Sequence, residues 1–150
     1  KLKMKIKSIY TLYGSQMKNL KISVNDMVKK AKARIEEITA KEAITLLDDN
    51  NVLIVDIRDV RERQKLGFIP GSYHAPRGML EFWIDPQSPY FKEIFGSNKR
   101  FVFHCAAGWR SALSVATLKD MGLEAAHISD GFAGWVEAGG PIEHNKPRPK

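Results

Sequence analysis

Two short apolar runs interrupt a chain that otherwise mixes polar and apolar positions: Val52-Leu53-Ile54-Val55 and Phe101-Val102-Phe103, the second ending at His104. Both are rich in β-branched or aromatic residues. That composition and length suit strands buried on both faces. Elsewhere the apolar spacing is helical. Val24, Met27, Val28, Ala31, Ile35 and Ile38 recur at helical intervals, predicting one helix with Ser23 as its cap. Thr39 and Glu42 form a capping box that opens a second helix through Leu47, ended by Asp48-Asp49-Asn50-Asn51. The charged stretch from Asp59 to Leu66 reads as a helix stopping at Gly67.

Ile69-Pro70-Gly71-Ser72 is a turn signal, and Tyr73-His74-Ala75 reads as a short strand. Residues 78–95 contain Pro86 and Pro89, which predicts a partly irregular segment with a helix near 87–95. Ser111 is placed to cap a helix running through Ala112, Val115, Ala116 and Leu118 to Met121, with Gly122 as its stop. Glu124 to Ile128 is a third strand, and a short helix surrounds Trp135. From Pro141 the chain reads as tail.

Strands alternating with helices imply an α/β fold: a doubly wound, mainly parallel central sheet flanked by helices. Ligands of such sheets bind beyond the carboxyl ends of the strands. The best-marked strand end here carries Cys105.

At 150 residues, one domain is the expected size class. The single cysteine excludes an intrachain disulfide and a four-thiolate zinc site. Four scattered histidines offer no metal-ligand spacing. No apolar run approaches the roughly 18 residues of a membrane span, so no membrane partner is expected. The net charge of +7 sits at the ends. The first 34 and last five residues hold thirteen of the 24 basic residues and one of the 17 acids. Aromatics do not interleave with these bases, so no nucleic-acid partner is expected either. Residues 1–16 are basic without the apolar core of a signal peptide. They are set apart as a leader, with Met17 as the candidate natural start, and a cytoplasmic location is expected.

Cys105 sits between a buried strand and a helix start. Ala106, Ala107 and Gly108 are small enough to let backbone N–H groups turn inward as an anion cradle. The helix N-terminus adds partial positive charge, and Arg110 adds a full one. A thiolate there should be favoured at neutral pH, making Cys105 a nucleophile. Loop composition alone leaves a second reading open, an inert buried thiol. His104 should face away from Cys105, because adjacent strand side chains point to opposite sides. Packing or a backbone hydrogen bond is therefore its expected role, and His74 and His127 are read as structural. Asp56 and Arg58 lie at a strand end, where a hydrogen bond or ion pair would fix a loop beside the site. Trp135 is read as core, and Trp109 as exposed and lining the pocket.

Cys105-Ala106-Ala107-Gly108-Trp109-Arg110-Ser111 resembles the active-site loop of the rhodanese family, Cys-Arg-x-Gly-x-Arg-Ser. Three further segments resemble family patterns in the same order. They are Asp56-Ile57-Arg58 with Glu62, the stretch from Gly67 through Ile69-Pro70-Gly71 to Pro76-Arg77-Gly78, and Gly131-Phe132-Ala133-Gly134-Trp135 with Pro141. The resemblance implies a rhodanese-like domain over residues 39–143, preceded by an N-terminal helical extension over 17–38 and followed by a tail over 144–150. It also implies a sulfurtransferase. Cys105 would take sulfane sulfur from a donor such as thiosulfate or a persulfide, and pass it to a thiol or cyanide acceptor. Ala106, Ala107, Gly108, Trp109 and Arg110 would bind the small anionic donor, supported by Asp56, Arg58 and Ser111, with no metal or organic cofactor.

The chain departs from the family pattern at Phe68, where His is frequent, and at Ala106, where Arg is usual. The first concerns turn packing, and the second removes a cation from the mouth of the site. Two other functions belong to the same motif. One is a persulfide carrier or regulatory binding module without turnover. The other is a cysteine-dependent phosphatase, whose loop places five residues between Cys and Arg to wrap a phosphoryl group. Here four intervene, a smaller ring that suits a sulfur atom better.

Overall fold

A computed structural model describes residues 18–146. The expected leader over 1–16 and the end of the expected tail, 147–150, lie outside the described residues. Five strands form one parallel sheet: β1 (Glu36–Ile38), β2 (Val52–Asp56), β3 (Tyr73–His74), β4 (Arg100–His104) and β5 (Ala126–Ile128). Their order across the sheet is β1-β5-β4-β2-β3. Six α-helices accompany them among the described residues: α1 (Val24–Lys32), α2 (Ala40–Ile44), α3 (Val60–Leu66), α4 (Leu80–Ile84), α5 (Trp109–Asp120) and α6 (Gly131–Glu137).

The two faces of the sheet separate by strand alternation. Ile54, Val102 and Ile128 pack with Ala40, Ala43, Phe132 and Trp135, so α2 and α6 cover one face. Val55, Phe101 and Phe103 pack with Leu80, Val115 and Leu118, so α4 and α5 cover the other. Both faces of β2 and β4 are thus dry, which is why their sequences read as unbroken apolar runs. A third cluster, Val28 and Ala31 against Ala112 and Ala116, seats α1 on α5.

Local signals place several elements as expected. Thr39 and Glu42 form the capping box of α2. Asp59 and Glu62 form a second box at the start of α3, and Gly122 stops α5 at a φ of 103°.

Four expectations are corrected. The helix through Ile38 ends at Lys32, and residues 36–38 become β1. Pairing with β5 satisfies the backbone of that short segment and buries Ile38, which outweighs a helical spacing that runs past Lys32 to Ile35 and Ile38. The helix near 87–95 is absent. Helical structure lies instead in α4 and in two 3-10 turns, Arg77–Met79 and Glu93–Gly96. Leu80 and Phe95 are the side chains this segment buries, and Pro86 and Pro89 fall in the linker between them. Ser111 does not cap α5. Gly108 occupies that position in the left-handed region, and Ser111 lies one turn inside the helix, fully buried. Finally, residues 141–143 are part of the domain. Glu143 and Phe68 exchange backbone hydrogen bonds, and the indole of Trp135 donates to the Pro141 carbonyl at 2.8 Å.

Candidate active site

β4 ends at His104, so Cys105 leaves the sheet at its carboxyl edge and the chain must turn at once into α5. Gly108 makes that turn with a φ of 91°. A Cβ at this position would collide with the Ser129 carbonyl, so the turn requires glycine for space as well as for conformation. The turn aims the Gly108 N–H at Cys105 Sγ, 3.2 Å away, and the Ser111 N–H reaches the same sulfur at 3.4 Å. The Ser111 hydroxyl lies 3.5 Å from it. From the other side α6 clamps the loop. The Phe132 N–H donates to the Cys105 carbonyl and the Ala133 N–H to the Ala106 carbonyl, at 2.9 and 3.0 Å.

These contacts decide the state of the thiol. Burial pushes the Cys105 thiol up. Hydrogen bonds from the Ser111 hydroxyl and amide, and from the Gly108 and Ala107 amides, outweigh it, so its pKa falls below the ordinary value. The side chain is 1% exposed, so the sulfur lies at the floor of its cradle. Above it Ala107 and Trp109 are exposed, with Ala106 and Arg110 half-buried.

Arg110 is not the free cation that the loop sequence suggests. Its guanidinium makes two hydrogen bonds to the Glu62 carboxylate, at 2.7 and 3.0 Å. The pair is mutually reinforcing: its hydrogen bonds hold the Glu62 pKa low and the Arg110 pKa high. Glu62 is thus the neighbour of the loop whose role sequence reasoning missed. Its presence in the second motif was the available signal.

Asp56 and Arg58 are fully buried and do not touch the sulfur. Arg58 donates to both Asp56 carboxylate oxygens and to the Gly67 carbonyl, and its guanidinium lies 4.1 Å over the Phe132 ring. Arg63 donates to the same Asp56 carboxylate at 3.0 Å. Burial opposes the Asp56 charge, but hydrogen bonding from Arg58 prevails and holds its pKa at about 2. This network ties β2 to the end of α3 and the start of α6, bracing the loop from below. His104 belongs to it. Its Nδ1 lies 3.0 Å from the Cys105 carbonyl and its Nε2 3.7 Å from Asp56, and burial holds its pKa low despite that carboxylate. His74 contacts the Arg58 carbonyl at 2.7 Å. At Phe68 the ring is half-buried under the Arg63 guanidinium, 4.4 Å from its centroid, so the departure there is one of packing.

A hollow of about 490 Å³ opens beside Ala106, between Arg58, Leu66, Phe132, Val136 and Ile142. Among the described residues no cluster of His, Cys, Asp and Glu could hold a metal ion, and no helix is long and apolar enough to cross a membrane.

A parallel α/β sheet with a cysteine cradled by backbone amides at a strand's carboxyl end defines the class of this protein, an α/β domain with a thiol site at the edge of its sheet. The comparisons give its family. Residues 39–138 match the rhodanese-like domain family, and the chain belongs to it. Over 105 residues it is 30% identical to the mouse thiosulfate sulfurtransferase/rhodanese-like domain-containing protein 3, spanning 66% of this chain and 67% of that one. A Rhodopseudomonas palustris protein of unknown function, described as a possible tyrosine phosphatase, is 51% identical with a TM-score of 0.82, covering 85% of this chain and 99% of that one. The polysulfide-sulfur transferase homodimer of Wolinella succinogenes is 27% identical with a TM-score of 0.59, covering 81% of this chain and 87% of that one.

Proposed function

We propose that this protein is a sulfurtransferase in which Cys105 carries a persulfide between a sulfane-sulfur donor and a thiol or cyanide acceptor. The observation that carries this reading is the pair of backbone N–H groups converging on one sulfur, Gly108 N–H at 3.2 Å and Ser111 N–H at 3.4 Å from Sγ, with the Ser111 hydroxyl oxygen in reach at 3.5 Å. They stabilise a negative sulfur without having to move, as preorganised donors do.

With thiosulfate, the Cys105 thiolate attacks the outer sulfur. A new S–S bond forms, the old one breaks, and sulfite leaves with its electron pair. The charge of the attacking thiolate then resides on the terminal sulfur of the persulfide. Cyanide or a thiolate attacks that sulfur, and the Cys105 thiolate is released, which gives ping-pong kinetics. In this reading Ala106, Ala107, Gly108, Trp109 and Arg110 form the donor-binding mouth. Asp56 and Arg58 position the loop, and Ser111 binds the sulfur directly. No cofactor takes part in these steps, and a cytoplasmic location belongs to the same proposal.

Phosphatase activity is the second reading, carried by the Rhodopseudomonas relative's description. The four-residue spacing between Cys105 and Arg110 weighs against it, as does the engagement of Arg110 by Glu62. Intact mass after incubation with thiosulfate tests the proposal. The wild type gains one sulfur, the Cys105→Ser variant gains none, and thiocyanate appears when cyanide follows. Absence of the adduct, with release of phosphate from an aryl phosphate, overturns it in favour of the phosphatase. Adduct without turnover leaves the carrier.

A further inference from the structure

Behind Cys105 a chain of polar contacts continues past Ser111 through two residues, His127 and Glu37, that the reaction above does not use. Cys105 Sγ lies 3.5 Å from Ser111 Oγ, which lies 2.8 Å from His127 Nδ1. On the far side of the imidazole, His127 Nε2 lies 2.8 Å from Glu37 Oε2. His127 is fully buried, whereas the Glu37 side chain is 33% exposed. The chain therefore leads from the floor of the active site to a partly exposed carboxylate on β1. Its members come from the loop, α5, β5 and β1, and lie up to 90 residues apart.

We infer that Cys105, Ser111, His127 and Glu37 form a proton relay that creates the reactive thiolate, with His127 as a positioning and acid–base residue acting through Ser111. This rests on the reading of Cys105 as the sulfur-carrying thiol.

The proton count follows from the contacts. Glu37 is an acceptor, so His127 presents Nε2–H to it and an Nδ1 lone pair to Ser111. The Ser111 hydroxyl donates to that lone pair and accepts from the Cys105 S–H. Shifting each proton one position along converts neutral thiol and neutral imidazole into thiolate and imidazolium. Ser111 then donates to the sulfur and His127 donates to Ser111. No atom is gained or lost, and the imidazolium is balanced by the Glu37 carboxylate. The charged groups facing His127 are Glu37 from β1 and Lys32 from the end of α1, whose Nζ lies 3.6 Å from the same carboxylate oxygen. Its other neighbours, Phe103 on β4 and Ser111 on α5, carry no charge. Burial, opposed by Glu37, lowers the ring's pKa, so the imidazole is neutral beside the thiol and its Nδ1 lone pair is free to accept from Ser111. Linked groups of this kind titrate as a pair.

The experiment follows the thiolate itself, by its ultraviolet absorbance against pH, with Cys105→Ser subtracted. Cys105 is the only thiol, so the signal is unambiguous. Wild type, His127→Gln and Glu37→Gln are compared, each checked for a cooperative thermal transition. Wild type should show thiolate persisting to acidic pH with two inflections. His127→Gln should show one inflection, with about tenfold less thiolate on the acid side of the ordinary histidine value of about 6.5. Glu37→Gln should shift the curve in the same direction by a smaller amount. Its partly exposed side chain lets it report if His127→Gln fails to fold. A Glu37→Gln curve superimposed on wild type, with His127→Gln either superimposed or unfolded, overturns the relay and leaves His127 a packing residue. Sulfur transfer is scored separately by mass. A wild type with the two-inflection titration but no persulfide would refute the sulfurtransferase and keep the relay.

Discussion

The Arg110 guanidinium and the Glu62 carboxylate meet through two hydrogen bonds at the mouth of the cysteine cradle. The cation that sequence alone assigns to the loop is thus matched by an anion, and the mouth is nearly neutral at that point.

Replacing Glu62 should therefore release a charge. Glu62→Gln keeps a side chain able to complete the α3 capping box, so the helix start survives. Free Arg110 should lower the thiosulfate KM, and the gain should shrink with added salt. Arg110→Ala does the reverse, leaving a carboxylate facing the donor. It should lower kcat/KM by about 1–3 kcal/mol and raise the thiol pKa. Steady-state kinetics at low and high salt, with the alkylation pH profile, check both.

Ala106 gives a second handle on the same question. Thiosulfate is a dianion, and Ala106 borders an apolar hollow instead of presenting a charge. Wild type should use thiosulfate with a high KM and prefer a less charged persulfide donor. Ala106→Arg should improve thiosulfate selectively, with the gain fading as the Debye length falls from about 10 Å at 0.1 M salt. Equal improvement of both donors would mean that charge is not the discriminator.

Gly108→Ala should fail for a steric reason. The added methyl meets the Ser129 carbonyl at a backbone angle that only glycine adopts readily. The loop must open, moving the Gly108 N–H off the sulfur. A stability loss of about 2 kcal/mol or more in urea titration is expected, together with a higher alkylation pKa.

Acid should unfold the protein in two stages. Burial holds His104 neutral in the fold, while the unfolded residue takes a proton near about pH 6.5, so stability falls as pH drops below that value. Asp56 has a folded pKa of about 2. Its contribution, about 2–3 kcal/mol, is present above its unfolded value near 4 and disappears between about pH 4 and pH 2. Urea midpoints across that range should show both stages. Asp56→Asn should remove the lower one and cost stability at neutral pH, because Arg58 is left buried without its counter-ion.

What the sequence determined by itself was everything encoded within a few neighbouring residues. The Thr39–Glu42 capping box, the apolar runs of β2 and β4, the Gly122 stop and the small-residue loop after Cys105 each act over one turn or one strand. Their physics is local, so they were legible, as was the parallel sheet that their alternation implies. Tertiary structure decided the rest because the interacting groups are far apart in the chain. Ile38 continues a helical spacing, yet its backbone is claimed by β5, 90 residues on. Ser111 looks like a helix cap, yet burial against Cys105 and His127 turns its hydroxyl to the sulfur and the imidazole. Arg110 looks like a free charge until α3 brings Glu62 to it across 48 residues. No short-range pattern records such pairings, because they form only when packing of the sheet's two faces brings separate elements to one strand edge.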